Sequence, residues 1–600
     1  MSRVAAFAGI ALAVVSTAAT AQPPPAHEVA LIDTANTIAA MPPPTPRHDV
    51  VETYHGVAVH DPYRWLEDAD APAVKAWIGA QNAYTDKVMG GFTDAKGIAK
   101  RVGELALTST ERRSPELIGT TLFYLRQTPP QPQAVLVAQA WPEGTAKVLV
   151  DPNSIEGSPA ITGYWPSPDG KIVAYGTAEG GTEETTIRFV VVATGRVLPD
   201  ALPRAGGSPT PQALVWDADG KGVIYARLPA PGSVPDDQLQ FNAALYHHAL
   251  GTDAARDPLV FGKDLSPVAE YTLLGSANGR HAAALLHYGD GAPDAVYLRS
   301  GSGDWKLALG TEANVRAASG VNQGAAWDGD RLLVIAYQHA PRGKLLALDS
   351  AGQPKTLVPQ GEWAMHSVAP IRNGFLVTEV RGPDWRVQHY SADGRFVRTV
   401  PLPDSGIGVG TIASSAASDH ALLAYSGWTI PSRWVTYDGA RGTLQTVFEV
   451  KPAADYSNIV SHRIDATSKD GTKVPVTVLA LRGVTPDGAR PAILYAYGGF
   501  GIAQAPRFLG STLAWLERGG VYAVANIRGG GEYGEGWHAD GMLAKKQNGF
   551  DDFHAAAQAL VAAHWTDPAH LGILGGSNGG LLMGAALTQH PEAYRAVVSL

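Results

Sequence analysis

A serine flanked by glycines separates a short apolar run from an apolar helical run, in Gly575-Gly-Ser577-Asn578-Gly579. G-x-S-x-G between a strand and a helix is typical of a nucleophile elbow, a sharp turn that exposes the serine hydroxyl. We expect Gly575 and Gly579 to leave room for the turn because they carry no Cβ. The main-chain N–H of Asn578 would point into the same space from a helix N-terminus and could stabilise an oxyanion. A glycine-rich turn without chemistry is the alternative, and the flanking strand and helix favour the elbow.

A second loop suited to this chemistry is Tyr495-Ala-Tyr497-Gly-Gly-Phe500-Gly501, which follows another apolar run. In hydrolases with a nucleophile elbow, the loop after an early strand supplies the second oxyanion donor. Tyr497 is therefore a candidate for that donor. A packed tyrosine beside turn glycines is the alternative.

The spacing Gly529-x-Gly531-x-x-Gly534 formally matches a dinucleotide-binding fingerprint. We reject that interpretation because Glu535 to Gly541 has the composition of a loop, whereas the fingerprint needs a helix there. Glu532 and Glu535 would also lie unfavourably close to a pyrophosphate. The sequence contains no P-loop and no H-E-x-x-H motif, and nothing in it signals a metal or a cofactor.

The length and composition of the chain indicate how many domains it has and exclude several classes of function. A chain of 600 residues is too long for one core, so at least two domains are expected. The hydrophobic fraction of 45% and net charge of −9 are those of a soluble globular protein. The mild negative charge gives no support for nucleic-acid binding, which requires a basic face. The absence of cysteine excludes disulfides, thiolate metal sites and a cysteine nucleophile.

The N-terminus has the features of a secretory signal peptide over residues 1–21. Arg3 supplies the positive charge, Val4 to Val15 is apolar, and Ala19-Thr-Ala21 is a cleavage site. A short membrane anchor is the alternative. We expect an exported protein, periplasmic or secreted, with no stable membrane anchor after cleavage. Residues 22–47 are proline-rich and predict an extended or disordered leader.

The rest of the chain changes character twice. Residues 48–115 include two amphipathic helical runs, residues 116–450 contain short strands broken by Asp-Gly and Asn-Gly turns, and residues 451–600 alternate strands and helices. The middle region predicts a seven-bladed β-propeller, and a pair of β-sandwiches is the alternative. The last region predicts a doubly wound, mostly parallel sheet. The propeller units are expected to begin near Glu116, Thr162, Ala213, Tyr271, Ala325, Ser367 and Gly410.

Several long motifs resemble the prolyl oligopeptidase family of serine peptidases. They are Asp61-Pro-Tyr-x-Trp-Leu-Glu-Asp68, Tyr497-Gly-Gly-Phe500, Asn526-Ile-Arg-Gly-Gly-Gly-Glu-Tyr-Gly-Glu-Gly-Trp-His538, Lys546-Gln-Asn548 with Phe550-Asp-Asp-Phe553, and Gly575-Gly-Ser-Asn-Gly-Gly580. The resemblance runs from about Tyr54 to Leu600 and is loosest through the middle region. Asn578 after the serine resembles prolyl oligopeptidase itself, whereas the oligopeptidase B branch usually has alanine there and the dipeptidyl peptidase branch tyrosine.

The resemblance implies an α/β-hydrolase domain built from both ends of the chain and a seven-bladed propeller that restricts substrates to short peptides. It gives Ser577 the role of nucleophile, and gives the oxyanion hole to the Tyr497 hydroxyl and the Asn578 N–H. Phe500 and Asn578 would bind substrate, with Phe500 lining the pocket for a proline. We expect a monomer that cleaves short proline-containing peptides. The alternatives are an oligopeptidase B-like peptidase or esterase on the same scaffold, and an inactive propeller binding protein.

One departure from the family concerns the serine's partners. The family order is serine, aspartate, histidine, but only 23 residues follow Ser577 and the only later histidine is His590. Thirteen residues of helix would place His590 about 20 Å away. Asp551, Asp552 and His554 are interpreted as helix-start and surface positions. We therefore expect the native chain to continue beyond Leu600, where the triad aspartate and histidine would lie, and the 600-residue chain to be inactive alone.

Overall fold

The structure is a computed structural model. It describes residues 41–106, 110–182, 184–205, 213–289, 292–316, 324–403 and 406–600. The predicted signal peptide and most of the predicted leader lie outside these residues. The chain forms two compact units, Met1–Thr93 and Asp94–Leu600. Within the described ranges, no helix is both long enough and apolar enough to cross a bilayer.

The first unit contains the hairpin of β1 (Val50–Tyr54) and β2 (Val57–Asp61) and the helix α1 (Pro72–Gly90). The Trp65 indole donates to the Pro46 carbonyl at 2.9 Å, and the Trp77 indole to the Thr45 hydroxyl at 3.1 Å. Specific hydrogen bonds therefore hold the described end of the proline-rich segment to this unit.

The second unit begins with α2 (Ala95–Ala106). Leu105 of this helix is buried in a cluster with Leu513 and Leu516, which lie more than 400 residues later. Arg101 also pairs with Glu517 at 2.7 Å. The helix before the strand-rich region thus packs against the C-terminal region.

Seven four-stranded antiparallel sheets follow in the described part of the chain between Glu111 and Glu449. Their strands are Glu111–Ile118, Thr121–Gln127, Val135–Ala140 and Lys147–Val150 (β3–β6); Ala160–Pro166, Ile172–Ala178, Thr186–Val191 and Val197–Leu202 (β7–β10); Leu214–Trp216, Gly222–Arg227, Ala244–Ala249 and Leu259–Phe261 (β11–β14); Ala269–Gly275, His281–Tyr288, Ala295–Ser300 and Lys306–Leu309 (β15–β18); Ala325–Asp328, Arg331–Ala336, Lys344–Leu348 and Pro354–Val358 (β19–β22); Ala364–Ile371, Gly374–Arg381, Asp384–Ser391 and Phe396–Thr399 (β23–β26); and Ile407–Ala413, His420–Gly427, Arg433–Asp438 and Thr443–Glu449 (β27–β30).

These sheets are the blades of a β-propeller, and each blade pairs its strands in chain order. The first and last blades share one apolar cluster, in which Tyr124 packs edge-on against Trp434 at 5.8 Å between ring centroids. This contact closes the ring. The prediction of a seven-bladed propeller is confirmed, and every blade begins within a few residues of the predicted start.

The turns inside the blades follow from local sequence. In the second blade, the Ser167 hydroxyl donates to the Asp169 carboxylate at 2.8 Å, and Gly170 has a φ of +68° that favours glycine. In the fourth blade, the Ser276 hydroxyl donates to the Asn278 side-chain oxygen at 2.8 Å in the same way. A recurring short motif thus fixes a recurring turn.

The C-terminal region forms one six-stranded sheet with the order β31-β32-β34-β33-β35-β36. The strands are Ile459–Thr467 (β31), Lys473–Leu481 (β32), Ala492–Tyr495 (β33), Val521–Ala525 (β34), Leu571–Gly575 (β35) and Ala596–Ser599 (β36). The helices are Leu513–Leu516 (α3), Glu535–Ala539 (α4), Gln547–Ala562 (α5) and Asn578–Gln589 (α6). Strands β33 to β36 are parallel, and Leu494, Ala523 and Ile573 of β33, β34 and β35 are buried in one core with residues of α5 and α6, as in the predicted α/β-hydrolase fold.

Candidate active site

Ser577 occupies the turn between β35 and α6. Its φ of +56° and ψ of −122° lie in a region that residues with a side chain rarely adopt. Such strain persists only where the surrounding structure enforces it, and it concentrates at functional sites. The turn leaves Ser577 exposed. This is the conformation expected of a nucleophile elbow.

The two glycines that flank the elbow are required by close backbone contacts. A Cβ on Gly575 would lie 2.4 Å from the carbonyl oxygen of Gly579. A Cβ on Gly579 would lie 3.0 Å from the carbonyl oxygen of Ala496, in the loop after β33. The second contact shows that the first turn of α6 packs directly on that loop.

The main-chain N–H of Asn578 is the first donor of α6. Residues at this position have no acceptor within their own helix. Among the residues that the structure describes, none accepts a hydrogen bond from this N–H. The group is therefore available to an oxyanion beside Ser577.

Tyr497 and Asn578 are brought together although 81 positions separate them in the sequence. The side-chain Nδ2 of Asn578 donates to the Tyr497 carbonyl oxygen at 2.6 Å. The Lys546 ammonium donates to the Asn578 Oδ1 at 2.9 Å and to the Gly498 carbonyl oxygen at 3.0 Å. The loop that carries Tyr497 is thus joined to the elbow by side-chain hydrogen bonds.

Phe500 lies in the same loop with a φ of +56°, and 40% of its surface is exposed. The next residue, Gly501, donates its N–H to the Gly529 carbonyl at 3.0 Å. An exposed aromatic ring close in sequence to Tyr497 suits a substrate-contacting residue, because rings bury large apolar areas on binding.

The glycines of the apparent dinucleotide fingerprint have steric roles. A Cβ on Gly529 would lie 2.3 Å from the Gly498 carbonyl oxygen, and one on Gly531 would lie 2.2 Å from the Gly501 carbonyl oxygen. The stretch thus packs backbone to backbone against the Tyr497 loop. A five-residue helix, α4, begins at Glu535, so the prediction of a loop there was wrong.

The same stretch contacts the propeller. A Cβ on Gly534 would lie 2.3 Å from the carbonyl oxygen of Pro341, which also accepts the Glu535 N–H at 2.7 Å. The carbonyl of Glu532 accepts the Gly382 N–H at 2.9 Å. Residues 529–535 therefore link the propeller to the loop that carries Tyr497.

The side chain of Glu532 is buried within this link. Its Oε1 accepts from the Gln504 N–H at 2.9 Å and from Asn526 Nδ2 at 3.1 Å. Its Oε2 is buried with no hydrogen-bond partner among the described residues. Burial raises the pKa of Glu532 from 4.5 to about 7.

Asp552 was interpreted as a surface position, and that interpretation was wrong. Its carboxylate is fully buried and accepts the Arg528 N–H at 2.9 Å and the Arg528 guanidinium at 2.6 Å and 2.9 Å. The guanidinium also contacts Asp470. Helical periodicity could have indicated this, because Asp552 shares a face with Ala556 and Leu560, four and eight residues later.

His590 lies at the far end of α6 from Ser577 and stacks on His554, with 3.6 Å between ring centroids. Burial lowers the pKa of His554, and the neighbouring His590 lowers it further. A twelve-residue helix separates His590 from the serine. We assign no described histidine as the general base of Ser577.

Comparison with known proteins matches both regions of the chain. Residues 43–450 match the family model described as the prolyl oligopeptidase N-terminal beta-propeller domain. Residues 506–600 match the model of the prolyl oligopeptidase family. A prolyl endopeptidase from Elizabethkingia meningoseptica is 30% identical over 567 residues, which cover 90% of this chain and 76% of that protein. The chain belongs to the prolyl oligopeptidase family of serine peptidases.

Further similar proteins include both prolyl endopeptidases and peptidases whose names also give a macrocyclase activity. A dual function macrocyclase-peptidase from Amanita bisporigera is 29% identical, with 90% of this chain and 78% of that protein covered. A solved structure from an analysis of two prolyl endopeptidases has a TM-score of 0.85 and 33% identity, and the match covers 93% of this chain and 82% of that one. A solved structure of Galerina marginata prolyl oligopeptidase B bound to a 25-residue macrocyclization substrate has a TM-score of 0.81 and 26% identity. The match covers 92% of this chain and 81% of that one.

Proposed function

We propose that this protein is a serine oligopeptidase that cleaves short peptides on the C-terminal side of proline. Ser577 would attack the scissile carbonyl and form an acyl-enzyme, while the Tyr497 hydroxyl and the Asn578 N–H stabilise the tetrahedral oxyanion. Phe500 would line the pocket for the proline ring.

The observation that carries this proposal is the exposed, strained Ser577 beside a main-chain N–H without an acceptor among the described residues. A turn with only a structural role would gain nothing from a strained serine. The proposed preference for cleavage after proline is supported by the prolyl endopeptidases among the similar proteins.

The nucleophile can be tested in the complete protein with a fluorophosphonate probe. We expect labelling of the unaltered protein, none of Ser577→Ala, and retention in the matched control Ser511→Ala, which alters another exposed serine. The substitution should also lower kcat by a factor on the order of 10⁶. Labelling that survives Ser577→Ala would show that the nucleophile is elsewhere. No labelling of the unaltered protein would favour a binding protein without activity.

The oxyanion role of Tyr497 can be tested by removing one hydroxyl. Tyr497→Phe should lower kcat roughly 10²- to 10³-fold, the usual effect of losing one oxyanion donor. Tyr495→Phe, two residues earlier on β33, is the matched control and should keep the unaltered rate. An unchanged kcat in Tyr497→Phe would exclude that role.

Specificity separates prolyl cleavage from the other activities of this scaffold. A panel of Gly-Pro, Arg-Arg and simple ester reporters should show the highest kcat/KM with Gly-Pro. A preference for Arg-Arg would indicate an oligopeptidase B-like enzyme, and ester hydrolysis alone would indicate an esterase.

We further propose that the protein is exported and acts as a monomer. The charged start, the apolar run and the cleavage site of residues 1–21 support export. Sequencing the N-terminus of the mature protein should place it at Gln22. An uncleaved N-terminus in the cytoplasmic fraction would contradict export, and sedimentation at twice the mass of one chain would contradict the monomer.

A further inference from the structure

The two oxyanion donors of the proposed function, the Tyr497 hydroxyl and the Asn578 N–H, belong to residues that lie beyond the paired ends of their strands. Strands β33 and β35 pair in parallel only as far as Tyr495 opposite Leu574. Tyr497 follows two residues after the last pair on one strand, and Asn578 follows four residues after it on the other. Some contact beyond the sheet must therefore set the distance between the two donors.

The side chains of Lys546 and Asn578 make that contact. Lys546, which directly precedes α5, donates to Gly498 in one donor loop and to the Asn578 side chain at the other donor. The Asn578 amide in turn donates to the Tyr497 carbonyl at 2.6 Å. A Cβ on Gly499 would lie 2.5 Å from that amide nitrogen, so glycine lets the amide lie flat on the loop.

A lysine at position 546 is unfavourable for stability if its only role is to join the two segments. It is half-buried, and among the described residues no carboxylate lies within ion-pair distance of its ammonium. Both of its acceptors are neutral oxygens, and burial lowers its pKa. The neighbouring Lys545, in contrast, is exposed and pairs with Asp540 at 2.7 Å. Partly burying a cation without a counter-charge opposes stability, which indicates a role other than stability.

We propose that Lys546 is a positioning residue that holds the Tyr497 loop and the Asn578 N–H in the mutual geometry required to bind the oxyanion. This inference rests on the proposed function and explains why the Lys546-Gln-Asn548 motif accompanies the elbow. Among the described residues, Lys546 donates its hydrogen bonds to Gly498 and Asn578 and none to Ser577. It acts through Asn578 and Gly498.

The test compares Lys546→Met with the matched control Lys545→Met in the complete protein. The reporter is whichever peptide or ester the unaltered protein hydrolyses, so a wrong assignment of specificity leaves the inference testable. Lys546→Met should lower kcat about 10- to 100-fold, the effect of a small misplacement of catalytic groups, with KM changed less than about threefold. Lys546→Arg, which keeps a charged donor, should recover most of the lost kcat. Lys545→Met should match the unaltered protein.

A double-mutant cycle ties the effect to the proposed contact. Asn578→Ala removes the amide and keeps the main-chain donor, so it should lower kcat to a similar extent as Lys546→Met. Because the two side chains act as one link, the double variant should lose little more than either single variant. Should Lys546→Met fail to fold, Asn578→Ala carries the same expectation.

Three outcomes would overturn the inference. They are a kcat in Lys546→Met or Asn578→Ala equal to that of the Lys545→Met control, a loss confined to KM, and fully additive losses in the double variant. Failure of the proposed function would look different, since the unaltered protein would then fail to react with the fluorophosphonate probe or with any reporter.

Discussion

The propeller and the hydrolase region use the same residue type, glycine, in opposite ways. In a propeller turn such as Ser167 to Gly170, the glycine adopts a positive φ and the turn is closed by the side chains of Asp169 and Ser167, one and three positions before it. In the hydrolase region, Gly531 is needed because the carbonyl of Gly501, thirty residues earlier, lies where a Cβ would be. The need for glycine in the propeller turn can be predicted from the neighbouring residues, whereas the need for glycine at position 531 arises only from the tertiary fold.

Charged residues show the same contrast. The turn around Ser167 is closed by short-range contacts of the exposed Asp169 carboxylate. In the hydrolase region, Asp552 is fully buried and pairs with Arg528, 24 residues away. Local interactions therefore close this propeller turn, whereas contacts between residues distant in the sequence fix the proposed active site. Substitutions in the two regions should differ accordingly in size and in effect on activity.

The largest effect is expected from the buried ion pair. Asp552→Asn leaves the Arg528 guanidinium buried with only Asp470 as its charged partner, so the free energy of unfolding should fall by about 3 kcal/mol or more. Asp551→Asn, one residue earlier and partly exposed, should change it by less than about 0.5 kcal/mol. Urea denaturation of both variants is the measurement. Equal stabilities would show that the buried pair contributes nothing.

A pH-dependent effect follows from Glu532, whose pKa is raised by burial to about 7. The unfolded chain loses this proton near pH 4.5, whereas the folded protein keeps it up to about pH 7. The folded state therefore loses stability as pH rises from 4.5 to 7, by up to about 3 kcal/mol. Glu532→Gln should be more stable than the unaltered protein at pH 8 and similar to it at pH 5. The same pH dependence in both proteins would contradict the raised pKa.

Gly531→Ala tests the backbone contact between the linking stretch and the Tyr497 loop. Gly531 does not have a positive φ, so the expected cost is steric, about 1–3 kcal/mol of stability together with a loss of kcat. Gly584→Ala in α6 is the control, because its Cβ would meet nothing within 4 Å. That substitution should be neutral or stabilising by up to about 1 kcal/mol. A kcat in Gly531→Ala equal to that of the control would remove the contact from the active-site argument.

The smallest effect is expected from a single propeller turn. Asp169→Ala removes hydrogen bonds to the Ser167 hydroxyl and the Lys171 N–H, at 2.8 Å and 3.1 Å. Stability should fall by about 1 kcal/mol, with kcat unchanged, because the lost hydrogen bonds join residues of the same turn. The check is thermal unfolding alongside the peptide assay. A loss of activity larger than the loss of stability would show that the turns are coupled to the site.

Local patterns were sufficient for most of the fold. Strand length, apolar runs and Asp-Gly or Asn-Gly turns predicted seven propeller blades, and alternating strands and helices predicted the parallel sheet. The elbow at Ser577 was also predictable, because it needs only a strand, a strained turn and a helix in immediate succession. The role of Asp552 was missed, although its spacing to Ala556 placed it on the buried face of α5.

The sequence by itself determined the two folds, the candidate nucleophile and the candidate oxyanion donors, because each depends on residues close together in the chain. Only the tertiary structure decided what holds them in place. The Lys546–Asn578 link, the Arg528–Asp552 pair and the glycine contacts of residues 529–534 join segments that are 24 to more than 150 positions apart. No local propensity encodes such contacts, since they form only when β33, β34 and β35 lie side by side and the propeller is docked on them.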